Sequence, residues 1–77
     1  MTEEELGQKL REMYDTAKRN EAACQVHLFG IIYGREIRER RFAARNIIQT
    51  AGISLGYTAE LSKGIKLSKY VRPIQGL

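Results

Sequence analysis

Apolar residues recur at helical spacing along this chain, and that periodicity restricts the possible folds more than any other feature. The first stripe consists of Leu6, Leu10, Met13, Tyr14 and Ala17. Apolar side chains three and four residues apart lie along one side of an α-helix, which must be covered by another surface. The pattern therefore predicts a mainly α fold.

The first helix is predicted over about residues 3–18. Thr2 and Glu5 have the spacing of a capping box, and an acidic first turn complements the positive end of the helix dipole. Gly7 lies inside this helix at a cost of about 1 kcal/mol relative to alanine. A close contact with another backbone would explain it.

A central helix is predicted at about 26–39, after a connection at 19–24. Its apolar face consists of Leu28, Phe29, Ile32, Tyr33 and Ile37. Alternation of polar and apolar residues at its start leaves a strand over 25–33 as the alternative. Gly30 and Gly34 are four residues apart, so they share one side of the helix and favour close packing.

After a turn at Arg38–Arg41, the helical stripe resumes with Ala44, Ile47, Ile48 and Ala51. Gly52 ends this helix, since glycine is the usual residue just past a helix end. Ser54 is a good N-cap for another helix over about 55–64, or slightly longer. Lys69 to Ile74 is predicted to be extended, and Pro73 would restrict any strand there to a sheet edge.

A length of 77 residues fits a single domain, 1–77, with a small core. The predicted fold is a small three- to four-helix bundle with a short C-terminal extended segment. Because so small a core gives marginal stability, a homodimer is a natural way to bury more apolar surface.

Charge is unevenly distributed. Residues 1–22 have six acidic and four basic residues, whereas 23–53 have five basic and two acidic, and 54–77 have four basic and one acidic. An acidic first segment followed by a basic remainder is what a surface that binds a polyanion would need. An ordinary solvated surface is the alternative.

Other features indicate a soluble cytoplasmic protein. Cys24 is the only cysteine, so no internal disulfide can form, and we expect it to be a small buried hydrophobe. Thr2–Glu5 is acidic where a signal peptide would be basic. The longest apolar stretch, Leu28 to Tyr33, is too short to cross a bilayer, so no membrane partner is expected.

The region from Phe42 to Lys66 has the elements of a helix-turn-helix: two short helices, a glycine at the turn and a serine cap. It resembles the helix-turn-helix superfamily of bacterial DNA-binding proteins. More narrowly, the chain resembles small bacterial proteins described as HTH-like domains. The residues that carry this narrower resemblance are His27 to Ile31, Ala51 to Ile53, Tyr57 to Gly64 and Lys69 to Val71. Two positions differ from the superfamily pattern, because Ile48 replaces a small residue and Thr58 a branched apolar one.

The resemblance implies that the second motif helix binds double-stranded DNA in the major groove. At 100° per residue, Ser54, Tyr57, Leu61 and Ile65 should face inward. The outward face of this helix should contain the base and phosphate contacts. They are Leu55, Gly56, Ala59, Ser62, Lys63 and Lys66, with the cap residue Ser54 beside them.

The preceding helix should lie across the DNA backbone. Arg45, Asn46 and Gln49 point away from its apolar stripe, so we expect Arg45 and Gln49 to contact phosphates, together with Arg41 before the helix. Arg38 and Arg40 would add sequence-independent affinity through counterion release. A solubilising charge run is the alternative for these arginines.

No catalytic, metal or cofactor residues are predicted. His27 is the only histidine, and a structural role suits it, since a metal site needs further histidine or cysteine ligands. The seven glycines form no phosphate-binding loop. We therefore expect a DNA-binding regulator or accessory protein, not an enzyme. The alternative is a protein-interaction module that uses the small-residue face of the second helix and Tyr70–Ile74.

Overall fold

A computed structural model describes residues 1–74, which form four α-helices. They are α1 (Glu3–Asp15), α2 (Ala22–Arg40), α3 (Ala44–Ala51) and α4 (Thr58–Leu67), with a 3₁₀ turn at Leu55–Tyr57 before α4. No strand occurs among these residues. The predicted mainly α bundle is therefore confirmed.

Helix α1 begins with the predicted capping box. Glu5 N donates to Thr2 Oγ1 at 3.1 Å, and Thr2 N donates to Glu5 Oε1 at 2.8 Å. The helix ends at Asp15 and not near residue 18. Thr16 is the C-cap, with φ of −95° and ψ of 4°, and its hydroxyl donates to the Glu12 carbonyl oxygen. The next N–H, that of Ala17, donates only three residues back, to the Tyr14 carbonyl oxygen, so the α-helical pattern ends here.

Helix α2 includes residues 25–33, so the predicted helix is confirmed and the strand alternative for this segment is wrong. It begins at Ala22, four residues before the predicted start, because Ala22 and Ala23 are strong helix formers that extend it. Cys24 therefore lies in the first turn of the helix and is exposed, so the expectation of a buried cysteine was wrong.

Two helix pairs form the bundle, and each pair meets where glycine allows close approach. Helix α1 packs on α3, where a Cβ at Gly7 would overlap the Thr50 side chain. Helix α2 packs on α4, where a Cβ at Gly30 would lie 2.8 Å from Ile65 N and 2.9 Å from Gly64 Cα. The expectation that Gly30 and Gly34 permit close packing is confirmed, whereas the closest neighbour of Gly7 is the Thr50 side chain and not the expected backbone.

One apolar core joins the two pairs. Nine hydrophobic residues are buried there, and they come from all four helices: Leu6, Leu10, Val26, Phe29, Ile37, Ile47, Ile48, Ala51 and Leu61. Ile48 is fully buried although the superfamily pattern has a small residue at this position.

Helices α3 and α4 are joined by the predicted turn. Gly52 has φ of +73°, and its N–H donates to the carbonyl oxygens of Ile48 and Gln49. This left-handed conformation is the one that glycine adopts without strain. The turn separates α3 from α4 as a helix-turn-helix requires.

The second motif helix differs in its first turn from the predicted one. Ser54 Oγ accepts from Gly56 N at 3.2 Å, so Ser54 caps the 3₁₀ turn, and α4 begins only at Thr58. The Thr58 hydroxyl donates to the Leu55 carbonyl oxygen at 2.7 Å, which explains a polar residue at this position. Helix α4 continues past the buried Gly64 to Leu67.

The segment after α4 begins as a turn and not as an extended strand. Tyr70 N donates to the Leu67 carbonyl oxygen at 2.8 Å, and Val71 N donates to the same atom at 3.0 Å. Tyr70 is 81% exposed, so its ring packs little against the bundle.

Candidate nucleic-acid interface

The outward face of α4 and the turn before it have most of the predicted exposed residues. Leu55, Gly56, Ala59, Lys63 and Lys66 are exposed, whereas Ser62 is half-buried. On the inner side, Leu61 is buried, and Tyr57 and Ile65 are half-buried. Ser54 is exposed, so its predicted inward position was wrong, because the residues around it form a 3₁₀ turn with a different periodicity from α-helix.

A basic groove runs between α4, the end of α2 and the start of α3. It has a volume of about 330 Å³, and four cationic side chains line it: Arg38, Arg41, Lys66 and Lys69. Its apolar lining consists of Ile37, Phe42, Ala44 and Ile65. Three predicted site residues, Arg41, Ser62 and Lys66, therefore lie together here.

The cations of the basic groove have no acidic partner within residues 1–74. The ion pairs among residues 1–74 use other cations: they join Lys9 to Glu12, Arg11 to Asp15, Arg35 to Glu39 and the N-terminal amine to Glu36. Arg38 instead donates from Nη2 to Ser68 Oγ at 3.2 Å, and that bond keeps a full positive charge at the groove. Cations without acidic partners along a groove concentrate positive potential where an anionic chain could lie.

Arg41 occupies an unusual backbone position at the edge of this groove. Its φ is +58° and its ψ is +34°, a left-handed conformation that is costly for a residue with a Cβ. It ends α2, where its N–H donates to the Arg38 carbonyl oxygen and Phe42 N donates to the Ile37 carbonyl oxygen. These bonds form a Schellman motif, in which glycine is the usual residue.

Helix α3 contributes a further positive edge. Arg45 and Gln49 are exposed on it, as predicted, but they lie outside the lining of the basic groove. The N-cap of α3 is Ala43, which has no side-chain acceptor for the first N–H groups of the helix. This helix end lies at the basic groove, because the next residue, Ala44, lines it. The partial positive charge of this helix end adds to that of the cations.

An aromatic contact fixes the turn before α4 to α1. The rings of Tyr14 and Tyr57 meet edge to face, with centroids 5.5 Å apart. Hydrogen bonding with Tyr14 is the largest cause that raises the pKa of Tyr57, and burial and the Glu60 charge add to it. The Glu60 Oε2 atom is buried and has no hydrogen-bond partner among the described residues. This cluster orients α4 but lies outside the basic groove.

Histidine and acidic residues form no cluster that could hold a metal ion within residues 1–74. His27 Nδ1 lies 3.1 Å from the Ala23 carbonyl oxygen in the same helix, which fits the structural role expected of it. None of the helices described is both long and apolar enough to cross a membrane.

The arrangement of α3, the turn and α4 agrees with a comparison against protein families. A family described as HTH-like domain matches residues 2–74. The chain belongs to this family. No curated protein and no solved structure matches it significantly.

Sequence reasoning missed part of this HTH-like domain's basic groove. Lys69 was assigned to an extended tail, although its spacing of three residues from Lys66 is that of neighbours on a helix face. Arg38 was expected to add sequence-independent affinity, but not to share a groove with Lys66 and Lys69. The detectable signal was two pairs of basic residues at a spacing of three, Arg38 with Arg41 and Lys66 with Lys69, which the packing of α2 on α4 brings together.

Proposed function

We propose that this HTH-like domain binds double-stranded DNA through the basic groove and the outward face of α4. The observation that carries the proposal is the groove itself, in which Arg38, Arg41, Lys66 and Lys69 have no acidic partner among residues 1–74. A row of such cations releases condensed counterions when it meets phosphates, which favours binding. A role in transcription or as a DNA-associated accessory protein follows by analogy with the fold.

The face of α4 next to the groove is suited to close approach. Ala59 is small and exposed, and Lys63 and Lys66 lie one and two turns further along the helix. In the proposed complex this face enters the major groove, where lysine can reach guanine acceptors. Arg45 and Gln49 of α3 then lie across the backbone. Leu55 and Gly56, in the 3₁₀ turn, approach the same major groove of the DNA.

In this proposal the domain acts as a binding module and not as an enzyme, and it works in the cytoplasm. Two copies would read two half-sites, since one small domain offers few base contacts.

Fluorescence anisotropy with a mixed-sequence duplex tests this function. We expect the wild-type protein to bind at low salt and to lose affinity as salt rises. Ala59→Tyr adds a large side chain to the face of α4 that enters the DNA major groove, without changing the charge. It should therefore weaken DNA binding by about tenfold, or 1.4 kcal/mol. Ala23→Tyr, at an exposed alanine of α2, is the matched control and should bind as the wild type does.

Circular dichroism should give the same helicity for both variants. No binding by the wild-type protein at low salt would exclude DNA as the ligand, and DNA binding that does not change with salt would exclude phosphate contacts by the basic groove. Equal loss in both tyrosine variants would exclude α4 as the helix that enters the groove.

A second candidate function is a protein-interaction module. It is favoured by exposed apolar side chains after α4, where Tyr70 is 81% and Ile74 100% exposed. These residues lie outside the basic groove. Val71→Asp should leave DNA affinity unchanged if the two surfaces are separate, as anisotropy can establish.

A further inference from the structure

Helix α2 has two apolar faces, and the bundle covers the second of them only in part. Val26, Phe29 and Ile37 are buried in the core. Leu28, Ile31 and Ile32 point in the opposite direction at 100° per residue and remain half-buried. A soluble surface helix normally has a single apolar stripe, and a helix that is apolar all round is normally buried. The second stripe therefore needs a partner.

Two depressions extend this second stripe on either side of α2. One, of about 390 Å³, lies against α1 and includes Met13 and Tyr33. The other, of about 440 Å³, lies against the segment after α4 and includes Val71 and Pro73. Ile32 borders both depressions, so they form one surface, which we name the α2 face.

We propose that the α2 face binds the α2 face of a second copy of this chain, with the two α2 helices antiparallel about a two-fold axis near Ile32. A two-fold contact uses the same patch on both copies, so the patch must complement itself. The apolar centre does so, because Ile31 and Ile32 of one copy would lie on those of the other.

Charge at the two ends of the α2 face decides the orientation. The end next to α1 has Glu12, with Lys9 3.7 Å away. The end next to the C-terminal segment has three cations, Arg35, Arg38 and Arg72, of which Arg35 pairs with Glu39 at 3.2 Å, and no acidic lining residue. Antiparallel helices place these cations against the Glu12 end of the partner, whereas parallel helices would place arginines on arginines. Rim charges of this kind set register and orientation more than affinity.

The small core gives an energetic reason for two copies to associate. Among residues 1–74 of one copy, only nine hydrophobic residues are buried, and Leu28, Ile31 and Ile32 are not among them. Burial of a half-exposed aliphatic side chain contributes roughly 25 cal/mol for each Å² of apolar surface removed from water. This proposal does not depend on DNA, since its ligand is the chain itself.

Sedimentation equilibrium at tens of micromolar protein tests the dimer. We expect twice the 8.8 kDa chain mass for the wild type. Ile32→Glu should give the single-chain mass with unchanged helicity. Leu55→Glu is the matched control, because Leu55 is 44% exposed and lies off the α2 face, so this variant should remain dimeric. A monomeric wild type would overturn the proposal, as would a dimer that Leu55→Glu disrupts and Ile32→Glu does not.

Cross-linking tests the axis without relying on a destabilising charge. Ile32→Cys in a Cys24→Ser background should form a disulfide-linked dimer under mild oxidation, because residue 32 lies beside its symmetry mate. Ala59→Cys in the same background should remain uncross-linked. Rapid cross-linking at residue 59 and none at residue 32 would overturn the placement of the axis.

Discussion

Arg41 combines a costly backbone conformation with a position in the basic groove. A non-glycine residue in the left-handed region costs roughly 1–2 kcal/mol, and such strain tends to persist where a side chain has another role. We therefore expect Arg41→Gly to raise the free energy of unfolding by about 1 kcal/mol. The same change should weaken DNA binding by about threefold to tenfold, through loss of a phosphate contact.

Arg41→Ala separates the two effects, because alanine removes the charge but keeps the Cβ. It should lose as much DNA affinity as Arg41→Gly without the gain in stability, as urea denaturation and anisotropy can measure. Equal stability of the two variants would show that the backbone at residue 41 is not strained.

Gly30 sets the distance between α2 and α4. A Cβ there would meet only backbone atoms, Ile65 N at 2.8 Å and Gly64 Cα at 2.9 Å, which cannot move aside as a flexible side chain can. Overpacking typically costs 1–3 kcal/mol, so Gly30→Ala should lower the free energy of unfolding by about 2 kcal/mol in urea denaturation. Gly56→Ala, whose Cβ would lie 3.4 Å from Ser54 Oγ, should change it by less than about 0.5 kcal/mol. A neutral Gly30→Ala variant would mean that the two helices can separate without loss.

At the scale of elements, local signals in the sequence predicted the helices, while tertiary packing decided their details. The capping box at Thr2 and the glycine at residue 52 gave correct helix ends, because both act through neighbouring backbone atoms. Gly64 could have ended α4, yet it lies inside that helix, where a Cβ would meet the backbone of α2 at the His27 carbonyl oxygen and Gly30 Cα. The 3₁₀ turn before α4 depends on the Thr58 hydroxyl, which no hydrophobic pattern reveals.

The capping box of α1 should give the protein a specific dependence on acid pH. The hydrogen bond from the Thr2 backbone N–H is the largest cause that lowers the pKa of Glu5 below its ordinary value of 4.5. Because the pKa is lower in the folded state, the stabilisation is present above pH 4.5 and is lost as pH falls through the folded-state pKa.

Glu5→Gln tests this dependence. Glutamine keeps the hydrogen-bond acceptor but cannot titrate. The stability difference between wild type and Glu5→Gln, measured by thermal unfolding, should therefore decrease as pH falls below 4.5. A stability difference that stays constant from neutral to acid pH would show that ionisation of Glu5 does not stabilise the helix cap.

At the scale of the whole molecule, the sequence indicated the sign of the charge but not its position. Acidic residues concentrate before residue 23 and basic residues after it. The groove, however, combines Arg38 and Arg41 with Lys66 and Lys69, about 30 residues apart in the chain. These two pairs of cations lie close together only because α2 packs on α4. The contact between the two helices depends on glycines, whose role composition alone does not show.

The salt dependence of DNA binding can establish whether this groove, and not total charge, holds the phosphates. Lys66→Gln with Lys69→Gln removes two positive charges from the groove, and Lys18→Gln with Arg19→Gln removes two from the exposed connection between α1 and α2. Both double variants reduce the net charge of +4 equally.

Each lost phosphate contact reduces the slope of log affinity against log salt by about 0.9 on B-form DNA. The groove variant should therefore lose about 1.8 from the slope measured by anisotropy, whereas the connection variant should keep the wild-type slope. Equal slopes in the two variants would mean that DNA responds to the overall positive charge, and the groove would then have no special part in binding.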